Sequence, residues 1–348
     1  MFVKTKQWLA LVGLAFFLSG CNDSSSNEQI ALQGQTMGTY YSIKYINQDN
    51  LPAPEQVKTE IDKRLELVND QMSTYRPKSE LSRFNSSTAV NTPFAVSADT
   101  AKVVREALRI NQVTHGALDV TVGPLVNLWG FGPEGRPDKV PTPEALAERK
   151  ARVGIRHLSV QGDALVKAIP ELYVDLSSIA KGFGVDQVAE YLASLGIQNY
   201  MVEIGGEVRL HGHNAQGNPW RIAIEKPVAG VDQTAQEIIA PGNMAIATSG
   251  DYRNYFEQDG KRYSHTIDPR TGEPIQHKMV SITVLAPTCM EADGLSTGLN
   301  VLGEEEALKV ANAHNIAAFM IIKTADGFKE VATEAFKPYL QSNRKELR

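Results

Sequence analysis

The sequence predicts an α+β fold of mixed and antiparallel sheets with packed helices, on three observations. Two strand-like runs, Tyr252 to Phe256 and Lys261 to Ile267, flank Gln258-Asp259-Gly260, and Asp-Gly is the signature of a tight hairpin. Glu55 to Met72 carries Val57, Ile61, Leu65 and Val68 on one helical face. Strands and helices follow one another at irregular spacing rather than in strict alternation, which argues against a doubly wound parallel sheet. The glycine-rich fingerprint of such sheets also fails: after Gly182 and Gly184 the place of its third glycine is taken by Gln187.

In chain order, Lys4 and Lys6 precede an apolar run, Trp8 to Phe17, that is too short for a dependable membrane span. It ends in Leu18-Ser19-Gly20-Cys21, the pattern of a lipoprotein signal peptide over residues 1–20, with Cys21 acylated as the new N-terminus. Residues 21–30 then read as a polar, flexible tether on a lipid anchor. Residues 31–340 form the body, large enough for a substantial core in one unit or in two closely joined ones.

Within the body, Gly34 to Ile46 alternates as one strand, and Ser97 caps a helix reaching Thr114, with His115-Gly116-Ala117-Leu118-Asp119 as its C-terminal turn. Val122 to Phe131 reads as a buried irregular segment, and Gly132 to Pro143 as a surface loop. Leu172 to Leu176 reads as a strand and Ile179 to Leu195 as a helix. Further strands are expected at Tyr200 to Ile204, Val208 to His211, Trp220 to Glu225, Ala245 to Ser249, Val280 to Leu285 and Ile316 to Ile322. Helical signals fill Thr288 to His314, opened by a capping box of Thr288 and Glu291.

The formal net charge is −5 and no basic run exists, which argues against nucleic acid as a partner. With Cys21 lipidated, only Cys289 remains of 2 cysteines, which removes disulfides and thiolate metal sites; Cys289 reads as a buried inert thiol. Three segments carry chemistry. In Ser264-His265-Thr266-Ile267-Asp268-Pro269-Arg270-Thr271-Gly272, His265 leaves a strand for a turn, and an imidazole with a pKa of about 6.5 takes a proton near neutrality. Arg270 either clamps phosphate or stitches the turn to Asp268. Asp293 and Thr297, four residues apart on one helical face with Ser296 beside them, offer hard oxygens to Mg²⁺ or Ca²⁺, unless they form an ordinary solvent-facing turn. Asp175-Leu176-Ser177-Ser178 leads into a helix whose N-terminus, with Lys181, Gly182 and Gly184, suits phosphate.

These segments occur together with Thr36-Met37-Gly38-Thr39, Gly116-Ala117-Leu118-Asp119, Val122 to Gly132, Glu203-Ile204-Gly205-Gly206 and Glu291-Ala292-Asp293. In this order, from about Gln35 to about Lys337, the chain resembles the ApbE family of FAD:protein FMN transferases. The resemblance implies two intimately joined lobes with the active site between them, and FAD as substrate with Mg²⁺ at its pyrophosphate. A threonine or serine hydroxyl of a target protein takes FMN and AMP leaves. It further implies Mg²⁺ ligation by Asp293, Thr297, Ser296 and the Ala180 carbonyl. Met37, Tyr75, Ala117, Leu118, Asp119, Ser177, Phe183 and Ile267 are implied to line the FAD site, with His265 as base. The implied targets are redox subunits of the Na⁺-translocating NADH:quinone reductase or Rnf type, which places the anchored enzyme at the periplasmic side of the inner membrane. An Mg²⁺-dependent FAD pyrophosphatase and an FAD-storing lipoprotein remain the alternative readings.

Overall fold

The computed structural model describes residues 28–133, 140–225, 235–250, 255–258 and 261–340. The expected signal peptide, Cys21, the middle of the Gly132 to Pro143 loop, the start of the Tyr252 to Phe256 run and the Asp259-Gly260 turn lie outside the described residues. Among the described residues no helix is long and apolar enough to cross a membrane.

β1 (Gln29–Thr36) begins within the expected tether and turns directly into β2 (Thr39–Ile46). The single strand expected over Gly34 to Ile46 is thus a hairpin. Met37 and Gly38 sit at φ 50° and 72°, the left-handed pair of a two-residue turn, and Thr36 pairs with Thr39 across it. Helix α1 (Pro54–Met72) buries Val57, Ile61, Leu65 and Val68, the predicted face. Helix α2 (Glu80–Ser86) and the short strand β3 (Phe94–Ala95) lead to α3 (Ala98–Val113), where Ser97 caps as expected by accepting the Thr100 N–H at 3.2 Å.

The segment expected to be irregular contains a short helix, α4 (Gly123–Leu128), with α5 (Pro143–Lys150) after it. A three-residue turn at Ile155–His157 and strands β4 (Leu158–Val160) and β5 (Ala164–Lys167) follow. Leu172 to Leu176 belongs to no sheet. Val174 gives its N–H to Asn85 Oδ1 and receives Asn85 Nδ2 on its carbonyl, both at 2.8 Å, so a side chain does the work of a neighbouring strand.

Helix α6 (Ala180–Ser194) matches its expected span and precedes β6 (Tyr200–Ile204), β7 (Glu207–His211), β8 (Ile222–Glu225), β9 (Ala235–Ile239) and β10 (Ala245–Gly250). The hairpin of β11 (Tyr255–Gln258) and β12 (Lys261–Ser264) forms in the expected region. Two-residue strands β13 (Ile267–Asp268) and β14 (Glu273–Pro274) bracket the turn containing Arg270. After β15 (Met279–Ala286), the expected long helix is two, α7 (Cys289–Leu302) and α8 (Glu304–Ala313), broken at Gly303, whose φ of 78° no helix accommodates. β16 (Ala317–Thr324) and β17 (Gly327–Ala332) close the fold.

The main sheet has eight strands in the order β1-β2-β6-β7-β10-β15-β16-β17, and its pairings are antiparallel. Helices α1 and α6 cover β1, β2 and β6 through Ile43, Tyr45, Val57, Ile61, Val188 and Val202. A larger core gathers α3, α7 and α8 with β15 and β16. A small satellite core of Leu125, Trp129, Val153 and Ile267 ties α4 to the turn after β12. The Trp129 indole N–H donates to the Gly272 carbonyl at 2.8 Å, which anchors that turn. The α+β arrangement is as the sequence predicted.

Candidate active site

The site begins where α6 and α7 meet. Their contact is close because Gly182 has no side chain: a Cβ there would lie 2.3 Å from the Cys289 carbonyl oxygen and 2.8 Å from Asp293 Cβ. The two helices then cap each other. Asp186 of α6 accepts the N–H groups of Cys289 and Met290, each at 2.9 Å, at the start of α7. Asp293 of α7 accepts the Gly182 N–H at 2.9 Å, at the start of α6. Thr288 caps α7 as expected, accepting from the Glu291 N–H at 3.3 Å. The Glu291 carboxylate meets Arg109 at 2.6 Å.

Two cavities open beside this junction. The smaller, about 390 Å³, is walled by Ala117, Leu118 and Asp119, by His265 and Ile267, and by Asp293, Ser296 and Thr297. The larger, about 1070 Å³, is walled by Met37, Thr39, Tyr40, Met72, Ala180 and their neighbours. Tyr75, Ser177 and Lys181 line both, so the two spaces adjoin along these residues.

Each wall has a local cause. The Ala117-Leu118-Asp119 loop is pinned under α3 by Asn111, which donates to the Leu118 carbonyl at 2.7 Å, and by the Thr114 hydroxyl, which accepts the Leu118 N–H at 3.1 Å. Asp119 holds the loop by accepting from Thr121 N and Oγ1 at 2.8 and 2.6 Å and from Ile155 N at 3.1 Å. Ser177 is tied to Asp175 through its N–H at 2.9 Å and also through its hydroxyl. Met37 reaches the site from a left-handed turn position that methionine rarely takes. His265 stands edge-on to Phe131, with ring centroids 6.4 Å apart. Ser296 donates its hydroxyl to the Asp293 carbonyl at 2.9 Å.

Burial pushes the Asp293 carboxyl up to about 7, against the pull of Lys181 and with Glu207 adding to the rise. Lys181 lies 2.6 Å from Glu207. Burial opposes its charge, but Asp293 and Glu207 outweigh burial and hold the ammonium above the ordinary lysine range. The second oxygen of Glu207, Oε2, is buried without a hydrogen-bond partner.

These donors fit a hard divalent cation. The smaller cavity presents four carboxylates, Asp119, Asp175, Glu207 and Asp293, against Lys181 and His265, and such a wall repels phosphate unless a cation intervenes. Asp293 accepts a single hydrogen bond, from the Gly182 N–H, which leaves it acceptor capacity toward the cavity for such an ion. No group of three or more His, Cys, Asp or Glu side chains capable of holding a metal is found among the described residues.

Of the residues singled out from the sequence, Met37, Tyr75, Ala117, Leu118, Asp119, Ser177, Ala180, His265, Ile267, Asp293, Ser296 and Thr297 come together around the two cavities. Phe183 does not line either one. It is fully buried in the large core, beneath the Lys102 ammonium, 5.6 Å from its ring centre. Arg270 is clasped by Asp268, at 2.8 Å from Nη2 to Oδ2, and stitches the turn. Glu207 escaped the sequence reading, although an acid directly after Gly205-Gly206 at a strand start was the available signal. The Thr248-Ser249-Gly250 edge of β10 escaped it as well.

The ApbE family model matches residues 37–320. The chain is 62% identical over 336 residues to a Vibrio cholerae protein named FAD:protein FMN transferase, covering 96% of this chain and 99% of that one. It is 57% identical to a Haemophilus influenzae protein of the same name, covering 94% and 95%. Among solved structures, flavin transferase ApbE from Vibrio cholerae aligns with a TM-score of 0.85 at 64% identity, covering 90% of this chain and 99% of that one. The apo form of Pseudomonas stutzeri flavinyl transferase ApbE aligns with a TM-score of 0.83 at 42% identity, covering 90% and 97%.

Proposed function

The chain belongs to the ApbE family, and on that premise we propose that it is an FAD:protein FMN transferase that moves FMN from FAD to a threonine or serine hydroxyl and releases AMP. The observation that carries this reading is the pair of adjoining cavities whose shared wall is Tyr75, Ser177 and Lys181, next to Asp293. A dinucleotide is two bulky halves joined by a charged pyrophosphate, and two cavities meeting at a charged wall match that shape.

Phosphoryl transfer asks the protein for positioning and charge control rather than for covalent chemistry. Asp293, Thr297 and the Ala180 carbonyl would hold Mg²⁺, with Ser296 fixing the helix turn between the two side-chain ligands. When bound, Mg²⁺ supplies charge neutralisation at the phosphates. The acceptor hydroxyl forms a new phosphoester bond to the phosphorus on the riboflavin side, the pyrophosphate P–O bond breaks, and AMP carries away the electron pair. His265, on the wall of the smaller cavity, takes the hydroxyl proton.

The acceptors are proposed to be redox subunits of the Na⁺-translocating NADH:quinone reductase or Rnf type. The enzyme is proposed to be held by a lipid on Cys21 at the periplasmic face of the inner membrane, a reading supported by the Leu18-Ser19-Gly20-Cys21 pattern. The test is to follow AMP release from FAD and Mg²⁺ with and without such a subunit. Release that depends on the acceptor supports transfer. Equal release of AMP and free FMN without acceptor identifies a pyrophosphatase instead.

A further inference from the structure

Glu203-Ile204-Gly205-Gly206 stands out in the sequence, and none of its residues takes part in the chemistry above. Its structural role is clear. Gly205 and Gly206 turn β6 into β7 at φ 61° and 105°, and a Cβ on Gly205 would come within 2.9 Å of Thr39 Cγ2, beside the Met37 turn. This tight turn starts β7 at Glu207, a carboxylate only 4% exposed. One of its oxygens takes Lys181 Nζ at 2.6 Å, and the other is buried without a partner. A buried carboxylate with an oxygen left unpartnered is costly, and a whole buried ion pair can often be replaced by apolar residues without harm to a fold. The presence of Glu207 at a cavity wall points to the ligand.

Lys181 supplies the link. Of the three residues lining both cavities, only Lys181 carries positive charge. An ammonium has three donors. Glu207 occupies one, which leaves two for anionic oxygens at the junction. We propose that Lys181 contacts the pyrophosphate of bound FAD and that Glu207 is a positioning residue that aims it. This rests on the reading that the cleft takes FAD. Lys181 is the second residue of α6, and its side chain is 32% exposed. The Glu207 contact fixes the flexible stem before the ligand arrives, so less side-chain freedom is lost on binding. The pair also explains why an acid follows the double glycine: β7 must begin with a carboxylate facing α6.

The experiment titrates the full chain, at saturating Mg²⁺, with FAD, FMN and riboflavin, reading flavin fluorescence. Lys181→Met is expected to raise the Kd for FAD about tenfold or more, the scale of one charge-assisted hydrogen bond, and to change that for riboflavin less than about twofold. Lys181→Arg restores part of the loss. Glu207→Gln, which keeps an oxygen acceptor for Nζ, holds the FAD Kd within about threefold, whereas Glu207→Ala matches Lys181→Met. Unchanged FAD binding in Lys181→Met overturns the pair alone. So does an equal weakening of FAD and riboflavin, which marks a merely structural contact. A wild-type chain that binds none of the three ligands overturns both this inference and the FAD reading. Should Glu207→Ala fail to fold, the contrast between Lys181→Met and Lys181→Arg still decides the outcome.

Discussion

Two buried aspartates on the crossing helices α6 and α7 do the same local job and differ in everything else. Asp186 caps α7, and Asp293 caps α6. Asp186 accepts two backbone N–H groups at 2.9 Å and Arg209 at 2.7 Å, so its charge is balanced and its oxygens are occupied. Asp293 accepts one backbone N–H, and the lysine nearest to it is bonded to Glu207 instead. One carboxylate is finished and serves the fold. The other is left short of partners on the wall of a cavity. Asp186 and Asp293 match in residue type and burial; what separates this pair is the number of partners each carboxylate holds.

The comparison can be broken most forcefully at Asp293 itself. Asp293→Asn keeps the Gly182 hydrogen bond, so the protein is expected to stay folded by circular dichroism while transfer falls by about 10²–10³-fold. A second substitution reverses the pattern. Asp186→Ala strands Arg209 and two helix N–H groups and is expected to cost about 3–5 kcal/mol in urea unfolding. If Asp186→Ala proves harmless to stability, the contrast fails.

Gly182→Ala pushes on both sides at once, because the added Cβ meets the Cys289 carbonyl oxygen at 2.3 Å. A loss of about 1–3 kcal/mol is expected, together with weaker Mg²⁺ binding by calorimetry, as α6 and α7 are forced apart. The pH dependence sharpens the picture further. The Asp293 carboxyl titrates at about 7 in the folded chain against 3.8 as the ordinary value, so the folded state binds the extra proton. Its contribution to stability is therefore present at low pH and is lost as pH rises through about 7. Without metal, the melting temperature of the wild type relative to Asp293→Asn should fall between about pH 5 and about pH 8, and saturating Mg²⁺ should remove the fall. A flat difference would show that Asp293 is already satisfied. The smallest effect belongs to Arg270→Ala. Arg270 is 41% exposed and bonded to Asp268 two residues away, so stability should move by no more than about 0.5 kcal/mol and transfer should hold.

What the sequence made legible was mostly local. The Ser97 and Thr288 caps, the α1 face and the α6 span depend on neighbours within a turn or two, and all are found where expected. That Asp293 and Thr297 lie on one helix and both line the smaller cavity follows from their spacing for the same reason. The misreadings have distant causes. Leu172 to Leu176 has strand composition, but its bonds go to scattered partners rather than to a strand: Val174 bonds Asn85, 89 residues away, and the Asp175 N–H bonds the Val120 carbonyl. The run over Gly34 to Ile46 looked like one strand because Met37 was not expected in a left-handed turn position. Glu207 carried one local signal, an acid directly after Gly205-Gly206, but its partner Lys181 on α6 is brought to it only by the fold. Arg270 could be weighed from sequence but not settled, since a phosphate clamp and a local stitch use the same residues.

The most direct test of the central claim is covalent flavin on the acceptor. Purified enzyme, FAD, Mg²⁺ and a candidate redox subunit are incubated, the mixture is denatured, and flavin fluorescence is read on the separated subunit. The expected result is a fluorescent subunit band accompanied by an equal amount of AMP, absent with Asp293→Asn and present with Arg270→Ala. AMP without a fluorescent band, or a band that persists in Asp293→Asn, would contradict the account.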